Sequence, residues 1–119
     1  MIITDNYTRY GWIFLTNTRS SRVLLEKFSK WRKQVERETG RKLKRIRCDN
    51  IAEFKAFAEQ VKKDGIVVEF TTPYTPEQNG VAEQMNRTLL AIMRALIFEA
   101  GIPRTFWSYA AKITCYIRN

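Results

Sequence analysis

The sequence predicts an α/β fold, a mixed sheet flanked by helices, and three observations carry that reading. Short β-branched and aromatic runs occur at the start, before Asp49 and at 66–70. Stretches of helical periodicity separate the later ones. The resulting order is strand, strand, helix, strand, helix, strand, helix, helix. Strands joined through helices need crossover connections, so part of the sheet is parallel. The chain has 119 residues, 45% hydrophobic and 13% aromatic. That suits one domain, 1–119, able to bury a core, and argues against global disorder.

Each element has its own signal. "MIITDNYTRYGWIFLTN" holds two apolar runs around a polar break at Asp5–Arg9, a hairpin pattern. Ser20 or Ser21 can cap a helix running to about Thr39. Leu24, Phe28, Trp31 and Val35 make its apolar stripe, and Gly40 ends it. "KLKRIRCDN" is a short strand with Leu43 and Ile46 as its apolar members. Asp49 or Asn50 precedes a second helix, with Phe54, Phe57, Ala58 and Val61 on one face and Asp64-Gly65 at its end. "IVVEF" is the next strand. After the loop 71–80 a long helix spans about Val81 to Ala100, striped by Met85, Leu89, Ile92 and Leu96. Gly101 and Pro103 stop it, and "TFWSYAAKITCYIRN" starts the last helix.

Composition excludes several classes. No apolar run approaches the roughly 20 residues that cross a bilayer, so no membrane partner is expected. The opening residues lack the pattern of a signal peptide. With two cysteines and no histidine, a zinc site of the usual kind is out. Cys48 and Cys115 read as free, buried thiols in a reduced compartment, with a single disulfide as the alternative.

The charge is 21 Lys+Arg against 12 Asp+Glu, net +9. From Arg19 to Arg47 there are 12 basic and 3 acidic residues, so that stretch carries the whole excess. Such a concentration points to a polyanion, nucleic acid being the commonest, and Lys42, Lys44 and Arg45 are its candidate contacts. The alternative is a solvated helix face followed by a basic strand.

Two acids occupy positions suited to chemistry. Asp49 ends a strand, where sites in such sheets gather. Glu83 falls in the first turn of the long helix. Together they could hold hard divalent cations through oxygen. Alone, the same positions suit an N-cap and a helix-dipole partner.

The residues around these acids narrow the choice. "RCDNIAEF", "GIVVEFTTPYTPEQNGVAEQMNRTL" and "GIPRTFWSYAAKITCYIRN", with the opening "DNYTRYGWIF", resemble the integrase catalytic core of copia-type retrotransposons, relatives of the retroviral integrases. The resemblance covers essentially the whole chain. It implies a ribonuclease H-like fold and metal-dependent transfer of element DNA into target DNA, with Mg²⁺ or Mn²⁺ as cofactor. The second catalytic Asp of that family falls on Asp49 and the catalytic Glu on Glu83, 34 positions apart (83 less 49). Pro73–Gly80 then becomes a loop beside the metals. Asn86 and Arg87 share the face of Glu83 and become DNA contacts, with Gln78 and Asn79 as further ones.

The departures from the family shape the expectation. The family's first strand and its Asp are expected to be missing, with Met1 falling inside the second strand. Asp5 matches a non-catalytic acid of the turn. Ile51 and Ala52 replace two glycines, and Gln84 and Met85 stand where basic residues are common. The expected function is thus an integrase domain of impaired activity, and the alternative is a non-catalytic nucleic-acid-binding or interaction module. Whether it is an enzyme stays open. DNA, a second copy of the chain through the sheet edge at residues 1–16, and the nucleus as workplace complete the expectations.

Overall fold

Residues 21–39 alternate apolar and charged positions with a period that only a helix can satisfy, and the structure forms that helix over its full length. The coordinates are a computed structural model that describes residues 1–18, 20–71 and 80–119. The chain clusters into two compact units. One is built from Met1–Leu15 with the described residues from Gly80 onward, the other from Thr16 to Thr71.

In the second unit, α1 spans Ser21–Thr39. Of the two candidate caps, Ser20 takes the role: its Oγ accepts from the Val23 N–H at 3.5 Å. Ser21 instead donates to the Glu53 carbonyl at 2.8 Å. Gly40 ends the helix at φ +66°, a left-handed conformation in which its missing Cβ avoids strain. Strand β3 is Arg45–Cys48, α2 is Ala52–Lys63 and β4 is Val67–Phe70. The strands pair in parallel, Arg45 opposite Val67 and Cys48 opposite Phe70, with α2 as the crossover. Leu43 lies in the loop before β3.

Leu24, Phe28 and Trp31 from α1 and Phe57, Ala58 and Val61 from α2 are buried, with Ile66 beneath the turn into β4. The Phe28 and Phe57 rings meet edge to face at 5.0 Å, a favoured aromatic geometry. Two polar ties close the ends. Arg32 pairs with Asp64 at 2.7 Å. The Glu36 carboxylate accepts the Leu43 N–H at 2.9 Å, which fixes the turn after α1 and lowers the Glu36 pKa, with Lys42 adding to the effect.

The first unit starts with a hairpin. β1 (Ile2–Thr4) and β2 (Gly11–Ile13) run antiparallel, Ile2 opposite Ile13. α3 spans Gly80–Glu99; a 3-10 turn at Arg104–Phe106 leads into α4, Trp107–Arg118. Met85, Leu89 and Cys115 form the core, with Ile2 and Ile13 against it. Asn119 clamps β2: its amide accepts from the Gly11 N–H at 2.8 Å and donates to the Gly11 carbonyl at 2.7 Å. Gly11 suits this place because a Cβ there would come within 2.5 Å of the Met85 methyl. Both cysteines are free thiols.

The packing makes a direct prediction. Phe57→Ala should destabilise by about 3–5 kcal/mol, because a buried ring leaves a cavity on both helices. Lys55→Ala, on the exposed side of the same helix, should stay within about 0.5 kcal/mol. Urea unfolding of both variants checks the contrast.

Candidate functional site

Asp49 follows β3 directly. The last ladder bond beyond the strands runs from the Thr71 N–H to the Cys48 carbonyl, at 3.0 Å. Asp49 therefore sits at the carboxyl end of the parallel pair, where side chains leave the ladder and become available to a ligand. Its side chain is on the surface.

Asp49 and Asn50 precede the next helix, as expected, and neither takes the N-cap position that was the alternative role for Asp49. The chain stays extended through Ile51 (φ −106°, ψ 157°), so Ile51 holds the cap position, and its side chain makes no capping bond. This geometry also accounts for the missing glycines. Ile51 has an ordinary negative φ, and Arg9 is the one non-glycine residue with positive φ among the described residues. A β-branched residue is accommodated without strain.

The neighbour on the strand side is Cys48. Burial first, and then the charge of Asp49, push its thiol up to about 11. It stays protonated at neutral pH and offers no thiolate nucleophile there. The Cys115 thiol is also raised, mainly by burial.

Glu83 lies in the first turn of α3, as expected. Arg87, one turn on, reaches it with Nη2 3.4 Å from Oε2. The two side chains are 44% and 75% exposed, so the pair is worth little and can be exchanged for a ligand. Asn86 is exposed on the same turn. Met85 points the other way, into the core.

Asp49 and Glu83 belong to different units. Among the described residues no group of three or more His, Cys, Asp or Glu is gathered as a metal site. The donor chemistry nonetheless fits a hard cation, since both side chains offer carboxylate oxygen. Gln78, Asn79 and most of the Pro73–Gly80 loop lie outside the described residues.

The basic candidates differ in their surroundings. Lys42 pairs with Glu36 at 3.5 Å, and Arg45 with Glu69 at 2.9 Å. Arg47 reaches the same Glu69 at 3.1 Å. Lys44 is exposed and has no ion pair among the described residues. Glu69 is the residue that the sequence reading missed. The signal was present: Arg45 and Arg47 alternate on one strand face, and an acid in the next strand can meet both.

Asp5 holds the hairpin turn. Its Oδ2 accepts from the Thr8 N–H at 2.9 Å and the Thr8 hydroxyl at 2.5 Å. The hydroxyl bond leads in lowering its pKa. Arg9 closes the turn at φ 65°, and Arg118 donates to its carbonyl.

The arrangement, a parallel strand pair with an acid at its carboxyl end and helices around it, belongs to the ribonuclease H-like class. A solved simian T-cell lymphotropic virus intasome, in complex with the PP2A regulatory subunit B56 gamma, matches this fold with a TM-score of 0.74 over 97% of the chain and 40% of the matched chain, at 15% identity. No protein-family model matches. Among curated relatives, the retrovirus-related Pol polyprotein from transposon TNT 1-94 of Nicotiana tabacum is 41% identical over 117 residues. That alignment takes in 97% of this chain and 9% of the relative. The RE1 and RE2 transposon polyproteins of Arabidopsis thaliana are 30% and 28% identical over the whole chain, which spans 8% of each. The chain belongs with the retrovirus-related Pol polyproteins of copia-type transposons, as an integrase-related sequence.

The turn contacts of Asp5 can be tested. Its folded-state pKa is depressed, so its contribution is full above the ordinary aspartate range and lost as pH falls through the lowered value. Thr8→Val should move the Asp5 titration upward in carboxyl-detected NMR. Mn²⁺ should leave the Asp5 signal sharp; strong broadening there would make Asp5 a metal ligand instead.

Proposed function

We propose that residues 1–119 form an integrase catalytic-core-like domain whose work, at impaired activity, is DNA strand transfer. The observation that supports this most directly is Asp49, at the carboxyl end of the parallel pair, within a chain homologous with transposon polyproteins. In the reaction a DNA 3′-hydroxyl attacks a phosphodiester phosphorus. A new P–O bond forms, the bond to the leaving 3′-oxygen breaks, and the attacking hydroxyl's proton is lost while the leaving oxygen gains one.

Asp49 and Glu83 would hold the divalent cation, Mg²⁺ or Mn²⁺. When bound, such an ion stabilises charge on the phosphoryl and leaving oxygens. Arg87 is poised for a second role. It rests against Glu83 and can turn to a DNA phosphate when the acid engages a cation, while Asn86 on the same turn can reach sugar, base or phosphate. Gln78 and Asn79 are proposed as further contacts. Lys42, Lys44 and Arg45 are proposed phosphate contacts, with Lys44 the readiest because the other two already face acids.

The partners would be element ends and target DNA, and the workplace the nucleus, where chromosomal DNA is found. A second copy of the chain is a further proposed partner. Among the described residues β1 and β2 pair only with each other, and because Asn119 occupies the outer edge of β2 at Gly11, the open edge is that of β1.

A second reading is a nucleic-acid-binding module without catalysis. What favours it is that no cluster of three metal-ligating side chains is gathered among the described residues. A strand-transfer assay on oligonucleotide duplexes with Mg²⁺ or Mn²⁺ separates the two. Product should appear with the parent chain and fall by at least about 100-fold in Asp49→Asn and in Glu83→Gln, as for loss of one charge-stabilising group. A parent chain that binds DNA and yields no product supports the module.

The cation has its own readout. Mn²⁺ at millimolar concentration should raise the melting temperature of the parent, by linkage, and leave both variants unmoved. An equal shift in both variants places the ion elsewhere.

A further inference from the structure

The charge of Thr16–Thr71 is not spread evenly over its surface. Among its cations, Lys30, Arg32, Lys42, Arg45, Arg47 and Lys62 have carboxylate partners within ion-pair distance. Arg22, Lys33 and Arg37 have none among the described residues, and all three are exposed. They share one side of α1. Eleven residues are close to three helical turns, so Arg22 and Lys33 nearly eclipse, and Arg37 follows one turn later. That side lies opposite the buried stripe of Leu24, Phe28 and Trp31.

Three other charges sit on this side: Glu26 and Lys30 neutralise each other at 2.8 Å, and Glu36, at its margin, is taken up by Lys42 and the Leu43 N–H. What remains is a row of one sign along about 22 Å of helix, at about 1.5 Å per residue. Past Gly40, Arg41 and Lys44 add two exposed cations without ion pairs among the described residues. Elsewhere in the unit acids meet the cations of β3, and the exposed Lys55 and Lys63 of α2, without ion pairs among the described residues, stand apart from this row. Soluble surfaces generally intersperse both signs, and a long row of one sign costs self-repulsion unless something of opposite charge meets it.

We infer that the outer face of α1, through Arg22, Lys33 and Arg37, is a docking surface for the phosphate backbone of duplex DNA, independent of metal and of Asp49 and Glu83. A row of cations at helical spacing suits a regular array of phosphates. Those side chains read no base, so binding is blind to sequence and driven by counterion release. The inference goes beyond strand transfer, because it needs no catalysis.

The test is fluorescence anisotropy with a labelled duplex in EDTA, titrated between about 50 and 300 mM salt. The parent should bind and weaken steeply with salt. Arg22→Gln with Lys33→Gln and Arg37→Gln should lower the slope of log K against log salt by about 2–3, close to 0.9 for each lost contact. Arg47→Gln with Lys62→Gln, whose cations already face Glu69 and Glu59, should change it by less than about 1. Lys33→Arg with Arg37→Lys keeps charge and should keep the parent slope, which separates loss of charge from loss of fold. An unchanged slope in the triple variant, or a drop as large in the Arg47/Lys62 control, overturns the assignment. So does displacement by poly-glutamate as effective as by DNA at equal charge, which would name an acidic protein as the partner. Absence of strand transfer in every chain leaves this result untouched, and loss of the slope leaves Asp49 and Glu83 untouched.

Discussion

Two neighbouring parallel strands cannot be joined by a tight turn, and much of the second unit follows from that. The chain leaving β3 at Cys48 must travel back along the whole strand before β4 can begin. α2 makes the return, and its twelve residues are long enough to carry an apolar face. Phe57, Ala58 and Val61 bury that face, and α1 covers it through Phe28. The same crossover fixes where the carboxyl ends of both strands fall. Asp49 is there because the strand has just finished and the helix has not yet started. The extended residues between them put Ile51, not Asp49, at the cap position of α2.

The first unit obeys a different constraint. Its hairpin is short and buries little by itself, and an isolated two-stranded ribbon is marginal in water. It is held by what packs and bonds against it. Met85 and Leu89 of α3 and Cys115 of α4 meet Ile2 and Ile13, and the Asn119 amide satisfies both backbone groups of Gly11. Residues more than a hundred positions apart in sequence thus complete one strand. Glu83 and Met85 show how one helix serves two ends. Two residues apart, they face different ways: the sulfur side chain anchors the helix to the hairpin, and the acid looks outward with Arg87.

The helices were legible because their periodicity is strong and their stops are chemical. Leu24, Phe28 and Trp31 fall on the buried face as the spacing requires, and Gly40 and Gly101 take positive φ at the ends. Both acids stood where strand end and first turn had been inferred. Two kinds of feature were less legible. Cap choice depends on where the backbone turns, which composition does not encode, so Ser20 rather than Ser21 caps α1 and Ile51 precedes α2. Long-range charge pairing depends on register: Arg45 and Arg47 look like free cations until β4 places Glu69 opposite Arg47. The Asn119 clamp on Gly11 was invisible for the same reason.

That pairing changes what a basic sequence means. A count of charges treats every lysine and arginine alike, yet the fold sorts them. On the strands, one carboxylate serves two guanidinium groups, and the side chains become a cross-strand lock. At the helix ends, Arg32 and Lys42 secure turns by meeting Asp64 and Glu36. Cations used this way contribute little to an outside field, because their fields close on nearby acids. The long-range field comes from those left over, and the outer side of α1 with the residues just beyond Gly40 holds the longest row of them. A helix face is also the place where leftover charge costs the fold least, since its side chains extend into high-dielectric solvent and no core packing depends on them. The distribution therefore separates two tasks within one unit: paired charges shape the turns and strands, and unpaired ones face outward where a polyanion can reach them.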